Sequence, residues 1–241
     1  VEHSGDDLVS IVYAKGDRLY KVRARGVVMA GGGWMNKRVV RDMPQSHHNA
    51  YDAFNHGPML VANVALNNWR FMYKAGITAC LYNGEFGFEC NIRKPMQTSG
   101  YHPPLHPDQP TILTFYVPFP TLGMDTRAQA HKGRWELYGA SYADYELKIR
   151  RQLTELFGSY GFDAKQDIEG IILNRWGHAY VVPEPGFFFG RDGQPAGRDV
   201  VSQPTGRIAY GHSELRGNQH WGPAAMEGKR AMSQVMEIAG L

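Results

Sequence analysis

Residues 206–231, GRIAYGHSELRGNQHWGPAAMEGKRA, decide the fold that this sequence predicts. The stretch opens with a short apolar strand, residues 206–211, and continues through a polar loop, residues 212–220. A helix of small residues then begins at residues 221–223, WGP, and proline suits this first turn because its missing N–H would have had no partner there. Small side chains on the next turns let a flat ligand approach the free N–H groups, and the positive end of the helix dipole favours electron-rich or anionic ligand atoms.

The parts of this stretch follow a recognisable order. They are Gly211, Glu214, Trp221 and residues 223–228, PAAMEG. In this order they resemble the C-terminal FAD-closing motif of flavin amine oxidases. The sequence departs from the family pattern at Pro223, where glycine is usual, and at Glu227, where serine is frequent. Without a cofactor, the same pattern would be the strand–loop–helix end of an ordinary α/β domain.

The resemblance implies FAD as the cofactor and gives individual residues a role. It implies that Glu214 meets the ribityl–phosphate part of FAD, and that the backbone N–H groups of Ala225 and Met226 meet the pyrimidine edge of the flavin. The complete set of predicted cofactor-binding residues is Gly31, Gly32, Gly211, Glu214, Trp221, Ala224, Ala225 and Met226.

Composition sets limits on what the protein is. With 241 residues, of which 43% are hydrophobic and 20% charged, the chain is long enough for one or two domains with a sizeable core. The net charge of +3 is too small to indicate nucleic-acid binding. No apolar run approaches the ~18 residues of a membrane span. Cys80 and Cys90 are too few for a disulfide framework. They either pair across a hairpin or remain free buried thiols, so a periplasmic and a cytoplasmic location both stay open.

The first part of the chain reads as a hairpin followed by a buried strand. Residues 8–24 alternate around a Gly-Asp turn, which is typical of a hairpin. The apolar run 26–30 then ends in Gly31, Gly32 and Gly33. Such a run is how a buried parallel strand meets a turn close to a ligand.

The middle of the chain mixes strands and helices. Its clearest helix starts at Ser141, which forms a capping box with Asp144, and stops at Gly158. The other predicted elements are a short helix within 43–54, a strand at 58–66, helical turns within 67–76, a strand at 111–117, a helix at 126–138, a strand at 168–173 and a loop at 183–204.

Three middle segments resemble spermidine dehydrogenase-like flavin amine oxidoreductases: residues 61–69 (VANVALNNW), 142–157 and 174–180 (NRWGHAY). The resemblance implies an α/β fold corresponding to the C-terminal part of a two-domain FAD-dependent amine oxidase. Residues 1–34 and 201–241 would then belong to the FAD-binding domain. Residues 35–200 would form an α+β substrate-binding domain with a mixed sheet.

The nucleotide-binding half of such an enzyme is missing from the sequence. That half begins with a strand and G-x-G-x-x-G, and the closest stretch, GGGWMN, fails at Asn36. The chain starts at Val1 without a signal peptide or tag. We therefore expect either a fragment or a second polypeptide that carries G-x-G-x-x-G. We also expect that the chain folds only with that half, across an interface beyond roughly 2,000 Å².

The predicted catalytic residues are Trp176, His178 and Tyr180, which alternate along an extended segment and so share one face. In the family, aromatic side chains in front of the flavin hold a small amine substrate, since ring faces attract a cation and steer its C–H bond. The flavin accepts the hydride, so the protein needs little acid–base machinery. The alternative is that these are three aromatic residues of a core.

Other readings compete with this one. Glu85 and Glu89 either hold a distant ammonium group of a polyamine or form a solvated loop edge. A non-catalytic subunit that serves assembly or electron-carrier docking would keep the same shape. A third hypothesis, a metal-binding module, is supported by histidines alone. We predict no native metal, because the two prolines in residues 102–106, HPPLH, break the helical spacing that metal sites favour. The histidines in question are His47, His48, His56, His102 and His106.

Overall fold

The computed structural model describes residues 1–5, 7–103 and 105–241. The chain forms two compact units: unit 1 comprises residues 1–56 and 180–241, and unit 2 comprises residues 57–179. The strands are β1 (Glu2–Ser4), β2 (Leu8–Lys15), β3 (Arg18–Ala24), β4 (Val27–Met29), β5 (Asn55–Leu66), β6 (Ala79–Leu81), β7 (Glu89–Ile92), β8 (Thr111–Pro118), β9 (Ile168–Val182) and β10 (Ile208–Tyr210). The helices are α1 (Gly33–Val39), α2 (Gln45–Asp52), α3 (Arg70–Ala75), α4 (Thr126–Gly139), α5 (Tyr142–Phe157), α6 (Gly197–Ser202) and α7 (Trp221–Ala239).

Unit 1 contains two small sheets. The predicted hairpin is confirmed as β2 and β3, which form an antiparallel sheet in the order β1-β2-β3. The predicted parallel strand is β4, which pairs with β10 in the register Val27↔Ile208 to Met29↔Tyr210. This pairing joins the start of the chain to the 206–231 stretch.

The core of unit 1 forms where these strands meet short helices. Val9, Val201, Ile208 and Tyr210 are completely buried in it. The Tyr51 ring of α2 meets the Tyr210 ring of β10 edge-on, with their centroids 6.2 Å apart. Edge-to-face contacts of this kind stabilise aromatic pairs beyond the area that they bury.

The loop predicted at residues 183–204 is in part wrong, because residues 197–202 of it form α6. A helix this short is marginal in water. Here Val201 is fully buried in the core of unit 1, and its burial stabilises the single turn. Likewise β9 runs on to Val182, whereas the sequence predicted a strand only to residue 173.

The units and the domains predicted from sequence are divided at different places. Residues 35–56 and 180–200, predicted from the sequence to belong to the substrate-binding domain, pack in unit 1. The reason is the core just described, in which α2 and α6 lie against β10. Two strands, β5 and β9, carry the chain into unit 2 and back.

Unit 2 is built on a five-stranded sheet in the order β6-β7-β8-β5-β9. The pairs β6–β7, β7–β8 and β8–β5 are antiparallel. Strand β5 alternates strictly between half-buried and buried residues, the period of two expected when one face covers a core. The residues of its unit 2 portion that join the hydrophobic core are Leu60, Ala62, Val64 and Leu66, and α5 adds Tyr145, Ile149, Leu153 and Phe157 to the same core.

The predicted capping box at the start of α5 is confirmed. Ser141 Oγ accepts a hydrogen bond from the Asp144 N–H at 3.2 Å, and Asp144 Oδ2 accepts one from the Ser141 N–H at 2.9 Å. Hydrogen bonds from Ser141 lower the pKa of the Asp144 carboxyl. The two residues satisfy N–H groups that a helix cannot bond internally.

Replacing Ser141 by alanine is expected to lower the free energy of unfolding by about 1 kcal/mol, because the alanine leaves the Asp144 N–H uncapped. The measurement is a urea titration of the native protein followed by circular dichroism. Ser141→Thr keeps the hydroxyl and serves as the control. Equal unfolding midpoints for the alanine variant and the wild type would contradict the assigned cap.

Within the described part of the chain, no helix is long and apolar enough to cross a membrane.

Candidate functional site

A turn of three glycines connects β4 to α1 in unit 1. A Cβ atom added at Gly33, the first residue of α1, would lie 2.1 Å from Tyr51 Cδ1 and 3.0 Å from Glu214 Oε1. No side chain fits at Gly33. Gly31 is exposed and Gly32 is half-buried. An added Cβ atom would lie 3.2 Å from Asn36 Oδ1 at Gly31 and 2.9 Å from Trp34 Nε1 at Gly32, so a side chain already stands beside each of these positions.

Glu214 lies in the interior, directly behind this turn. Its side chain is 0% exposed, and Oε1 accepts a hydrogen bond from the Gly33 N–H at 2.6 Å. Its Oε2 lies 2.7 Å from His56 Nε2, and the His56 side chain is 5% exposed. Buried charges are retained where they are paired and hydrogen-bonded. The carboxylate therefore ties the turn before α7 to the start of α1, and both of its oxygens are engaged within the chain.

Asn36 and Tyr51 support the same turn from the side. The Asn36 side chain is fully buried, and its Nδ2 donates to the Gly31 carbonyl at 2.9 Å and to the Tyr51 hydroxyl at 3.2 Å. Burial raises the pKa of Tyr51 well above its usual range, and the nearby Glu214 charge adds to the effect while the Asn36 hydrogen bond opposes it. Tyr51 therefore stays protonated and holds the Asn36 amide in place.

Helix α7 begins at Trp221, as the sequence predicted. The Ala224 N–H already donates to the His220 carbonyl at 3.0 Å, and Pro223 has no N–H. The α-helical pattern uses the N–H groups of all later residues for its own hydrogen bonds. The N–H groups that the helix leaves free are thus those of Trp221 and Gly222. The N–H groups of Ala225 and Met226, expected from the sequence to meet a ligand edge, follow the first turn, in which the helix leaves its N–H groups unbonded.

The first turns of α7 are open on one side and tightly packed on the other. Trp221 is 86% exposed and Met226 is 55% exposed, and Ala224 and Ala225 are exposed as well. On the packed side, a Cβ atom added at Gly211 would lie 2.7 Å from the Ala231 Cβ. Gly211 therefore lets α7 approach the end of β10 closely.

Glu227 stands where the flavin amine oxidase pattern frequently has serine, and its side chain has a structural role here. Its side chain is 3% exposed, and Oε1 accepts a hydrogen bond from Arg216 Nε at 2.5 Å. Oε2 accepts from Arg230 Nε at 2.9 Å and from Arg230 Nη2 at 2.7 Å. Arg230 also donates to the Tyr210 carbonyl. This ion-pair network fixes the first half of α7 against β10, which a serine would not do.

The predicted catalytic residues all lie in β9. Trp176 is 57% exposed and is not among the buried core residues of this chain. His178 is half-buried in unit 2. Tyr180 is half-buried in unit 1, where its ring lies 6.1 Å from the ring of His220, the residue that precedes α7. An aromatic pair therefore stands beside the free end of α7.

The residues considered as ammonium-binding or metal-binding candidates form contacts with neighbouring residues of the chain. Glu85 is exposed and forms an ion pair with Arg151 at 3.4 Å, and Glu89 accepts a hydrogen bond from Asn91. His47 Nε2 lies 3.0 Å from the Gln203 carbonyl oxygen. Across residues 1–5, 7–103 and 105–241, no three His, Cys, Asp or Glu side chains are grouped so that they could hold a metal ion.

Known structures share this fold. Cyclohexylamine oxidase from Brevibacterium oxydans IH-35A superposes with a TM-score of 0.62 at 16% identity over 99% of this chain and 47% of that chain. Wild-type putrescine oxidase bound to putrescine gives a TM-score of 0.64 at 17% identity over 98% of this chain and 47% of that chain. No family model matches the sequence, and no curated protein matches it.

The fold is therefore the mixed α/β fold of amine oxidases, and the chain spans about half the length of those structures. This confirms the α/β class expected from the sequence and is consistent with a C-terminal part of the amine oxidase fold.

Proposed function

We propose that this chain is the C-terminal portion or subunit of an FAD-dependent oxidoreductase that acts on amines. The observation that carries the proposal is the arrangement in unit 1. The glycine turn after β4, its parallel partner β10 and the open start of α7 belong to one compact unit, in a fold shared with amine oxidases over nearly the whole chain. Unit 1 would complete the FAD site, and unit 2 would bind the substrate.

Several features of unit 1 suit an FAD molecule. Gly31 and Gly32 add no side chain of their own to the turn, and the first-turn N–H groups of Trp221 and Gly222 offer donors to electron-rich atoms. Glu214 acts from behind as a positioning residue, since it holds the Gly33 N–H. When bound, FAD supplies the hydride acceptor for oxidation of the carbon beside the amine nitrogen.

The chain's own contribution to the reaction is to orient the amine and exclude water. An exposed indole such as that of Trp176 attracts a cationic amine through its ring face and restricts its orientation. His178 lies on the same strand and in the same unit as Trp176, and Tyr180, paired with His220, would supply an aromatic surface beside the start of α7 in unit 1. The substrate class is a small amine, in keeping with the cyclohexylamine and putrescine named for the structural neighbours.

Trp176→Ala is expected to lower amine turnover at least about tenfold while the FAD content stays near that of the wild type. Because the side chain is 57% exposed, its removal should change stability by no more than about 0.5 kcal/mol. Turnover and flavin absorbance are measured on the same sample. Trp135→Ala, which removes an indole that is 79% exposed on α4, is the matched control. A variant that fails to fold would show that Trp176 acts in packing instead.

The other half of the FAD site would come from a polypeptide or chain segment that carries G-x-G-x-x-G. The chain accounts for 47% of its structural neighbours, and the exposed apolar side chains of β2 and β3 are unusual for a surface. These side chains are Val12, Tyr13, Leu19, Tyr20 and Val22. We expect residues 1–241 to be insoluble alone and to fold together with that half.

The deciding experiment is an absorbance spectrum of the native assembly that contains this chain. Flavin bands, together with equal amounts of a G-x-G-x-x-G sequence, would support the proposal. A colourless assembly without amine oxidation would support a non-catalytic, docking role. A soluble, cooperatively melting monomer of residues 1–241 with no affinity for FAD would contradict the proposal.

A further inference from the structure

Two cysteines face each other at the edge of the sheet in unit 2. Strands β6 and β7 pair antiparallel with Cys80 directly opposite Cys90. Their Sγ atoms are 3.4 Å apart, and both cysteines are free thiols. The pair lies in unit 2, whereas the glycine turn and the start of α7 lie in unit 1.

The backbone geometry at this pair permits a disulfide. The flanking bonds run from the Tyr82 N–H to the Phe88 carbonyl and from the Ile92 N–H to the Thr78 carbonyl. They place the pair at a hydrogen-bonded position of the ladder, where opposite Cα atoms are about 5.5 Å apart. Disulfides span Cα separations of roughly 4.4–6.8 Å. Rotation of the side chains can therefore bring the sulfur atoms from 3.4 Å to the bond length of about 2.05 Å.

The two thiols differ in their access to solvent. Cys80 is half-buried on β6, which is an edge strand, whereas Cys90 is completely buried in the unit 2 core. Burial raises the pKa of the Cys90 thiol far above its usual range, and the neighbouring Cys80 adds to this. A reagent from solution therefore meets Cys80 first, and Cys90 reacts second.

We propose that Cys80 and Cys90 are a site of reversible oxidative modification by small-molecule disulfides. The Cys80 thiolate attacks one sulfur of the reagent, which forms a mixed disulfide and releases one thiolate. Cys90 then loses its proton and attacks the Cys80 sulfur, which forms the Cys80–Cys90 bond and releases the second thiolate. The two electrons lost by the cysteines reduce the reagent to two thiols.

The consequence of the bond follows from the shortness of β6. This strand has three residues and a single neighbouring strand, β7. A disulfide across it closes a short loop and prevents the edge strand from detaching. Oxidation should therefore stabilise the sheet edge of unit 2, and reduction should release it. The inference does not depend on the proposed function.

The test uses the folded native protein that contains this chain and oxidised glutathione as the probe. No Lys or Arg lies between Lys74 and Arg93, so one tryptic peptide, residues 75–93, carries both cysteines. After the free thiols are blocked with N-ethylmaleimide, the oxidised peptide should be two hydrogens lighter than the unblocked reduced peptide and carry no maleimide. Dithiothreitol should restore both blocking sites. Two maleimides after oxidation, or glutathione that remains on Cys80 beside a free Cys90, would overturn the proposal.

Single variants test the order of attack. Cys90→Ser should accumulate glutathione on Cys80, and Cys80→Ser should leave Cys90 unmodified. Rapid glutathione addition to Cys90 in folded Cys80→Ser would overturn the order. If either variant fails to fold, the wild-type peptide still decides whether the bond forms. Oxidised wild type should also melt about 5 °C higher than reduced wild type, and an unchanged melting temperature would overturn the claim that the bond stabilises the edge.

Discussion

Replacing Glu214 by alanine is expected to lower the free energy of unfolding by about 2–6 kcal/mol, because two buried groups, the Gly33 N–H and the His56 ring, lose the carboxylate that they bond, at about 1–3 kcal/mol each. The variant removes the acceptor of the Gly33 N–H and the carboxylate beside His56, both in the interior of unit 1. Chemical unfolding followed by circular dichroism measures the loss. Because the glycine turn then loses its support, FAD content should fall as well.

Two further variants show whether the loss of stability comes from the buried carboxylate of Glu214 or from the loss of any acidic side chain. Glu214→Gln has the same shape and keeps an oxygen for the Gly33 N–H, so its loss of stability and of flavin should be clearly smaller. Glu85→Ala removes an exposed carboxylate and should stay within about 0.5 kcal/mol of the wild type. Stability equal to that of Glu85→Ala would contradict the buried role of Glu214. Unchanged flavin content in both Glu214 variants would contradict its role in the FAD site.

Gly33→Ala is expected to destabilise unit 1 by about 3 kcal/mol, at the upper end of the cost of overpacking a core. The added Cβ would lie 2.1 Å from Tyr51 Cδ1, so the ring must move, although Tyr51 is itself buried against Tyr210. The effect is measured as a shift of the unfolding midpoint. Gly228→Ala is the matched control, since an added Cβ meets nothing within 4 Å there and alanine favours a helix interior.

A double variant shows whether the clash with the ring is the cause. In a Tyr51→Ala background the ring is absent, so Gly33→Ala should cost much less than it does in the wild type. Equal costs in both backgrounds would show that the clash with Tyr51 is not responsible. In that case the contact of the added Cβ with Glu214 Oε1, at 3.0 Å, would be the next explanation.

Local features could be predicted from the sequence because the interactions that form them involve residues only a few positions apart. The capping box of Ser141 and Asp144 spans one helical turn, the hairpin of β2 and β3 closes over a two-residue turn, and the start of α7 follows from the residues around Pro223. Short-range periodicity and turn chemistry carry these local features without any knowledge of the packing. The amine oxidase fold, in contrast, was expected from the resemblance of several segments to that family.

The site itself depends on contacts that no local pattern encodes. Glu214 is an acidic residue in a polar loop by sequence. In the fold it is fully buried and bonds Gly33, which is 181 positions away, and His56, which is 158 positions away. Asn36, Tyr51 and His56 were not predicted at the site. Gly33 was indicated only by its position in the run of glycines from Gly31 to Gly33, and it was not among the predicted cofactor-binding residues. The exposure of Trp176, 57%, is likewise a property that only the tertiary structure gives. The sequence by itself determined the hairpin of β2 and β3, helix α5 and the start of α7, because these follow from local hydrogen bonding and hydrophobic periodicity, but it did not predict the short helices α1 and α6. Only the tertiary structure decided which polar groups are buried together, because burial brings distant segments into contact and makes each buried polar group find its partner there.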